Sequence, residues 1–459
     1  MEKRKSSIFV VAAWLTLLIA WQILSLYIGN FFIFPTVPRL FTAVFDLFSE
    51  KSFIDAILST LLRGMAGMFL ALLLAVALAW AASRSGGFRI YLHPFLTLFR
   101  SVPIISFLFL FLVWFSPEYI PLVMALITMT PILTENLIEG FMRIDISLLE
   151  MSQVYLLSSR QKIKHIVYPA VSPFLFSGLI SATGLGWKAI VMGEALAQPD
   201  AGIGVMIRES HGFIEISRLL AWTIVAVIIS YCIEIFLRKV ETYRFPVSFA
   251  LKDRQEKRLK TFPEVLPIEK IGKRFGDKMM LSGLQITVSR GEITCLMAPS
   301  GYGKTTLLRL LSGLEHSDFG DMPLKMKCDI AFLFQEYRLL PHLTVWENIT
   351  LSRSSYMSRD TARMRAFEIL KQLNMENCMD RYPDTLSGGE SQRVALARMM
   401  FFPASLYLLD EPFKGLDFEL KQRIMNIFRE WQRRSRKTIL YVTHQDDETW
   451  IADKIVKVE

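Results

Sequence analysis

The run Ala298-Pro-Ser-Gly-Tyr-Gly303-Lys304-Thr305 holds the residue types that grip phosphate. A strand-like stretch, Glu292–Met297, leads into it, and a helix-forming stretch, Thr305–Leu311, leads out, which is the setting a phosphate loop requires. Gly301 and Gly303 let backbone N–H groups approach an anion, and the helix N-terminus that follows favours negative charge. Lys304 is placed to reach β- and γ-phosphates, and the Thr305 hydroxyl to bind Mg²⁺. Ser300 and Thr306 complete the candidate contacts. One departure stands out: Ala298 occupies the position of the motif's first glycine, which a methyl group tolerates only at negative φ.

A second cluster lies about a hundred residues on. The apolar stretch Ser405-Leu-Tyr-Leu-Leu ends in Asp410-Glu411-Pro412. An acid at a strand end can hold Mg²⁺, and its neighbour can orient or deprotonate water, so Asp410 is the candidate metal ligand and Glu411 the candidate base. Between the two clusters lies Leu386-Ser387-Gly388-Gly389-Glu390-Ser391-Gln392-Arg393, whose Ser387, Gly388 and Gly389 open a helix.

In this order the pieces resemble the ATP-binding cassette (ABC) ATPases, from about Ile268 to the last residue. The resemblance implies further roles. Gln335, after the apolar Ile330–Phe334, matches the glutamine that meets Mg²⁺ or the attacking water. His444 matches the switch histidine that contacts the γ-phosphate. Asp417, in Gly415-Leu416-Asp417, matches the D-loop, and Phe275 the aromatic that stacks on adenine. Ser387, Gly388 and Gly389 would cap the γ-phosphate of ATP held by an opposite ATPase, so a chain with one phosphate loop and one such signature implies a second copy of itself.

The elements ahead of this domain are of another kind. The chain has 459 residues, 52% of them hydrophobic, and the apolar runs concentrate before Arg244. Stretches of spanning length predict about six helices, at Ile8–Ile28, Ala56–Ala82, Pro94–Phe115, Tyr119–Ile138, Val167–Leu196 and Leu219–Leu237. Basic residues place the N-terminus and the ATPase inside: Lys3, Arg4 and Lys5; Arg84 and Arg89; Arg143, Arg160, Lys162 and Lys164; then Arg238, Lys239 and Arg244. The proline-broken segment from Phe34 to Phe48 predicts a short amphipathic helix at the outer interface. The predicted organisation is an all-α polytopic membrane domain at 1–244, a charged linker at 245–267, and an α/β P-loop ATPase at 268–459.

The inner loop from Glu150 to Pro169 resembles the cytoplasmic coupling loop of ABC importer permeases. Glu150 and Pro169 match, and Leu156 stands where that loop has glycine, leaving its bend to another residue. With FPTVPRLF, FRSVPIISF and GLGWKAIVMGEALA, the segment from Phe34 to Arg238 resembles permeases of the nitrate, sulfonate, taurine and thiamine-precursor import family. That implies a type I importer architecture in the cytoplasmic membrane, a separate extracytoplasmic solute-binding protein and a small-molecule solute.

Charges within spans are costly, so Lys188 and Glu194 beside Trp187 are the candidate pore residues, and Arg63 is expected to snorkel or to pair with Glu135. The net charge of +9 comes without a basic patch interleaved with aromatics, which argues against nucleic acid as a partner. The four cysteines form no CxxC pair, and Cys295 reads as a packed hydrophobe. The expected function is ATP-driven import. An exporter is disfavoured by the short inner loops and the importer-like loop at Glu150. A membrane device that signals rather than transports is the alternative from another class.

Overall fold

The computed structural model describes residues 2–30, 32–242, 262–269, 271–275, 278–281, 284–299, 301–319, 329–352 and 357–458. The expected linker at 245–267 falls mostly outside them, as does Ser300. The chain forms two compact units, one of residues 1–144 with 168–246 and one of residues 145–167 with 247–459. The segment 145–167, which interrupts the apolar half of the sequence, therefore belongs with the ATPase half.

The first unit is helical: α1 (Glu2–Ile28), α2 (Val37–Leu47), α3 (Phe53–Arg84), α4 (Gly86–Ser101), α5 (Ile104–Trp114) and α6 (Ile120–Met142) come before the excursion. Among the described residues, four helices are long and apolar enough to cross a membrane: Phe53–Arg84, Ile120–Met142, Ser159–Ala197 and Ile216–Thr242. The third expected span is corrected, because α4 and α5 form a pair bent by 93°. Its cause is local. Pro103 brings no N–H, and the residue before it, Val102, is forced to extended backbone at ψ 130°. With the bent pair as one span the described residues give five, and α1 contributes the apolar stretch Ala12–Ile28.

What packs this unit is small side chains. On α3, Ala56, Thr60, Gly64, Gly67, Ala71, Ala75, Ala79 and Ala82 recur every three or four residues and are buried. Such a stripe lets helix backbones approach closely where no hydrophobic effect drives them together. At Gly67 an added Cβ would sit 2.6 Å from Cβ of Ala125 on α6, so the glycine sets the α3–α6 separation.

The second unit begins with α7 (Ile146–Val154), α8 (Ser159–Lys162) and a π-helical turn, Ile163–Val167. The chain then returns to the first unit through α9 (Tyr168–Ala197), α10 (Ile203–Gly212) and α11 (Ile216–Thr242). The remainder runs β1 (Val265–Glu269), β2 (Lys273–Phe275), β3 (Lys278–Met280), β4 (Gln285–Ser289), β5 (Ile293–Met297), α12 (Lys304–Leu311) and β6 (Ile330–Leu333). There follow α13 (Val345–Thr350), α14 (Arg359–Gln372), α15 (Gly388–Phe401), β7 (Leu406–Asp410), α16 (Phe418–Ser435), β8 (Thr438–Thr443) and β9 (Lys454–Lys457). Strands β6-β7-β8-β5-β9 form a sheet, in that order, whose pairings are all parallel. Strand β7 is buried at every position and so is β8, which reads as the continuous apolar run of a strand covered on both faces.

Candidate active site

Parallel strands end together, and in an open parallel sheet ligands gather beyond the carboxyl ends. Here β5 delivers the phosphate loop, β6 delivers Gln335, β7 delivers Asp410 and Glu411, and β8 delivers His444. The turn into α12 needs left-handed backbone at Gly301 (φ 82°) and at Gly303 (φ 99°), the residue that caps the helix. Ala298 keeps a negative φ, so its methyl group is accommodated. Lys304 is buried and its ammonium donates to the carbonyls of Ala298 (2.6 Å) and Pro299 (3.0 Å). Thr305 is exposed and Thr306 half-buried at the start of α12.

Glu411 is the hub. Its carboxylate accepts from Gln335 Nε2 at 3.0 Å, lies 2.9 Å from His444 Nδ1, and pairs with Lys414 at 3.0 Å. Its backbone sits at φ 48°, a costly conformation outside glycine that the surrounding sheet must hold. Partial burial pushes its pKa up, but the bonds from Lys414 and His444 outweigh that and hold the carboxyl below the usual range. Lys414, three residues after Glu411 in the turn that follows β7, is a partner that the sequence analysis did not single out.

Asp410 is buried beside Thr305, and burial lifts its pKa above the ordinary aspartate range despite the Thr305 hydroxyl. A divalent cation beside it would favour the charged form. The Thr305 hydroxyl, the Asp410 carboxylate and the Gln335 amide oxygen are hard oxygen donors, which suits Mg²⁺. The residues present fit the ion.

The signature lies elsewhere in the unit. Ser387 caps α15 by a reciprocal pair: its hydroxyl accepts from the Glu390 N–H (3.3 Å) and the Glu390 carboxylate accepts from the Ser387 N–H (2.7 Å). Among the described hydrogen bonds, none joins Ser387, Gly388 or Gly389 to the phosphate loop. Asp417 caps α16 through the Leu420 N–H at 2.9 Å. The backbone of Phe275 ends β2, and its side chain lies outside the described residues.

The segment 145–167 is anchored by Glu150. Its carboxylate takes a bidentate grip from Arg309 on α12 (2.5 and 3.0 Å) and a third bond from Arg338 (2.9 Å), three residues past Gln335. The Arg309 bond, opposed by burial and aided by Arg338, holds this carboxyl below the usual glutamate range. The Tyr155 hydroxyl donates to the Phe332 carbonyl on β6 (3.0 Å), and Gln161 to Leu351 (3.1 Å). Leu156 itself makes the bend, at φ 54°, so no other residue had to replace the glycine. Pro169 enters the first turn of α9.

The candidate pore residues separate. Lys188 is exposed. Trp187 is buried in the first unit, where its indole N–H donates to the Ala226 carbonyl at 3.0 Å. Glu194 is wholly enclosed, accepting from Thr60 (2.8 Å), Arg63 (3.0 Å) and the Gly204 N–H (3.0 Å). Trp187 and Glu194 are both buried in helix packing. Arg63 bridges Glu194 and Glu118 (2.6 Å) and does not meet Glu135, which pairs with Arg100 instead. Cys295 is a packed strand residue whose thiol burial pushes up to about 11.

Comparison with known proteins identifies both parts of the chain. Residues 281–414 match a family model described as ABC transporter, and residues 67–242 one described as binding-protein-dependent transport system inner membrane component. The Fe(3+) ions import ATP-binding protein FbpC of Brucella abortus (strain 2308) is 39% identical over 206 residues, covering 42% of this chain and 58% of that protein. The aliphatic sulfonates import ATP-binding protein SsuB 3 of Rhodococcus jostii (strain RHA1) is 40% identical over 196 residues, covering 42% of this chain and 71% of that protein. The probable sulfate/thiosulfate import ATP-binding protein CysA of Chlorella vulgaris is 39% identical and 86% covered. Among solved structures, a dimeric post-hydrolysis state of the ATP-binding cassette MJ0796 bound to ADP and Pi is 28% identical, at TM-score 0.39, over 42% of this chain and 94% of that one.

Proposed function

From the premise that this chain belongs to the ABC transporter family, joining a multi-pass membrane component to an ATP-binding cassette, we propose that it hydrolyses ATP to import a small solute. Two copies act together in the cytoplasmic membrane, N-terminus and cassette inside, and a separate extracytoplasmic protein delivers the solute. Iron, aliphatic sulfonates and sulfate all figure in the relatives' names, so the cassette is common to many cargoes and the solute is set by the membrane unit.

At the site, Lys304 exchanges its carbonyl partners for phosphate oxygens of ATP. Glu411 orients and deprotonates the attacking water, with Gln335 and His444 fixing its two oxygens. Thr305, Asp410 and Gln335 would hold Mg²⁺, which would supply positive charge against the phosphates when bound. Ser387, Gly388 and Gly389 complete the site on the second copy. Phe275 and the D-loop Asp417 are assigned to adenine and to the dimer seam.

The observation that carries the transport reading is the Glu150 bridge to Arg309 and Arg338. It links an importer-like loop to the helix after the phosphate loop and to the segment after Gln335. The test is uptake into vesicles carrying the chain and its binding protein. Import that tracks ATP hydrolysis supports the reading; steady ATP turnover without solute movement sinks it in favour of a signalling device, and outward movement in favour of an exporter.

A further inference from the structure

The helix break at Val102–Pro103 poses a question that the nucleotide site does not answer. Non-helical backbone at membrane depth persists only where protein buries it or where it lines a water-filled cavity. A cavity of about 500 Å³ lies against this break. Phe99 and Arg100 line it from before the break and Phe107 from after it, facing Thr128 and Glu135 of α6 and Ser181 of α9. Pro103 offers no N–H to the carbonyl four residues back, that of Phe99, which is itself on the cavity wall.

Depth follows from helix rise. At 1.5 Å per residue, Arg100 lies about 21 Å along α4, Glu135 about 10 Å from the basic end of α6, and Ser181 about 20 Å along α9. Against a hydrocarbon core of about 30 Å, that brackets the midplane. Glu135 also lines a second cavity of about 370 Å³, with Arg89, His93, Glu139 and Arg143 at the basic ends of α4 and α6. One residue thus joins a midplane chamber to a charged vestibule.

We propose that the chamber at the α4–α5 break is the solute site of the membrane unit, and that cargo leaves it past Glu135 along the α4–α6 face. The proposal rests on the transporter reading. The chemistry selects the cargo class. Arg100 and Glu135 form an ion pair, so the chamber carries no net charge, and a solute with net charge would add an uncompensated one in a medium of low dielectric. A net-neutral organic solute with an acidic and a basic end can pair with both side chains and lay its apolar body on Phe99 and Phe107, whose rings are 5.9 Å apart.

The test needs no knowledge of the cargo. Ser181→Cys and Thr128→Cys, in a background with Cys232, Cys295, Cys328 and Cys378 all changed to Ser, are treated in vesicles with an anionic and a cationic methanethiosulfonate, with Val227→Cys on the exposed face of α11 as the control. We expect both chamber thiols to react with both reagents, at rates within about threefold of each other, while the control stays unreactive. Adding Glu135→Gln should speed the anionic reagent over the cationic one by about tenfold, because Arg100 is then unpaired. Unreactive chamber thiols overturn the site. A tenfold preference for one sign before Glu135 is changed overturns the cargo class. Because labelling requires no ATP, reactive thiols in a protein that fails to import would sink the transporter reading and leave the chamber standing.

Discussion

Glu411 is held by Gln335, His444 and Lys414 at a backbone conformation that costs energy, which would keep the base proposed here in one orientation. Glu411→Gln preserves shape and removes the base, so nucleotide binding should persist while turnover falls by about 10²-fold or more, as read in a phosphate-release assay. Turnover like the parent's would remove Glu411 from its role. Lys304→Ala should weaken nucleotide binding itself, measured by equilibrium titration. In the membrane unit, Gly204 has no room for a side chain: an added Cβ would lie 2.2 Å from the Val191 carbonyl oxygen and 2.6 Å from Cβ of Glu194. Gly204→Ala should therefore lower that unit's stability by about 1–3 kcal/mol, seen as a lower melting temperature in detergent.

Elements matter most at segment 145–167. Beside the Tyr155 and Gln161 bonds, it is held by one carboxylate shared by two guanidinium groups, of which Arg309 lies 159 residues away in sequence. Replacing its charge leaves Arg309 with Glu315 and Arg338 with the Ser147 carbonyl, and removes the carboxylate the two share. Glu150→Gln should lower cassette stability by about 1–3 kcal/mol and lower solute moved per ATP more than ATP turnover. The pH dependence has a definite sign. The folded carboxyl is held below the unfolded value of about 4.3, so its contribution is complete above that pH and is lost as pH falls through the lower, folded value. Acid titration of melting temperature should show a steeper fall for the parent than for Glu150→Gln below about pH 4.3. Parallel slopes would show that the bridge does not form.

For the whole molecule, the decisive expectation is that two copies share each site. Chains bearing Glu411→Gln and chains bearing Gly389→Asp should each be inactive alone. Mixed dimers carry one site with an intact glutamate facing an intact signature, so co-expression should restore ATP turnover. If no activity returns when the mixed species is isolated, the sites are not shared between copies.

The sequence by itself determined the chemistry that lies close together along the chain. The phosphate loop, the strand-end acids and the capped signature are set by short-range rules: glycines that permit left-handed backbone, a buried apolar strand that ends at its acid, and a serine three residues before a glutamate. Pro103 also broke the expected third span for a reason visible in the sequence, since proline restrains the residue before it; its apolar neighbours concealed the bend. Only the tertiary structure decided partners. Arg63 has several carboxylates within its reach in principle, and the fold gave it Glu194 and Glu118 while giving Glu135 to Arg100. Likewise it placed Glu150 between two arginines and buried Trp187 and Glu194, which polarity had suggested for a channel. Ion pairs across distant segments carry no periodicity or spacing, because long-range packing, not local backbone preference, brings their charges together.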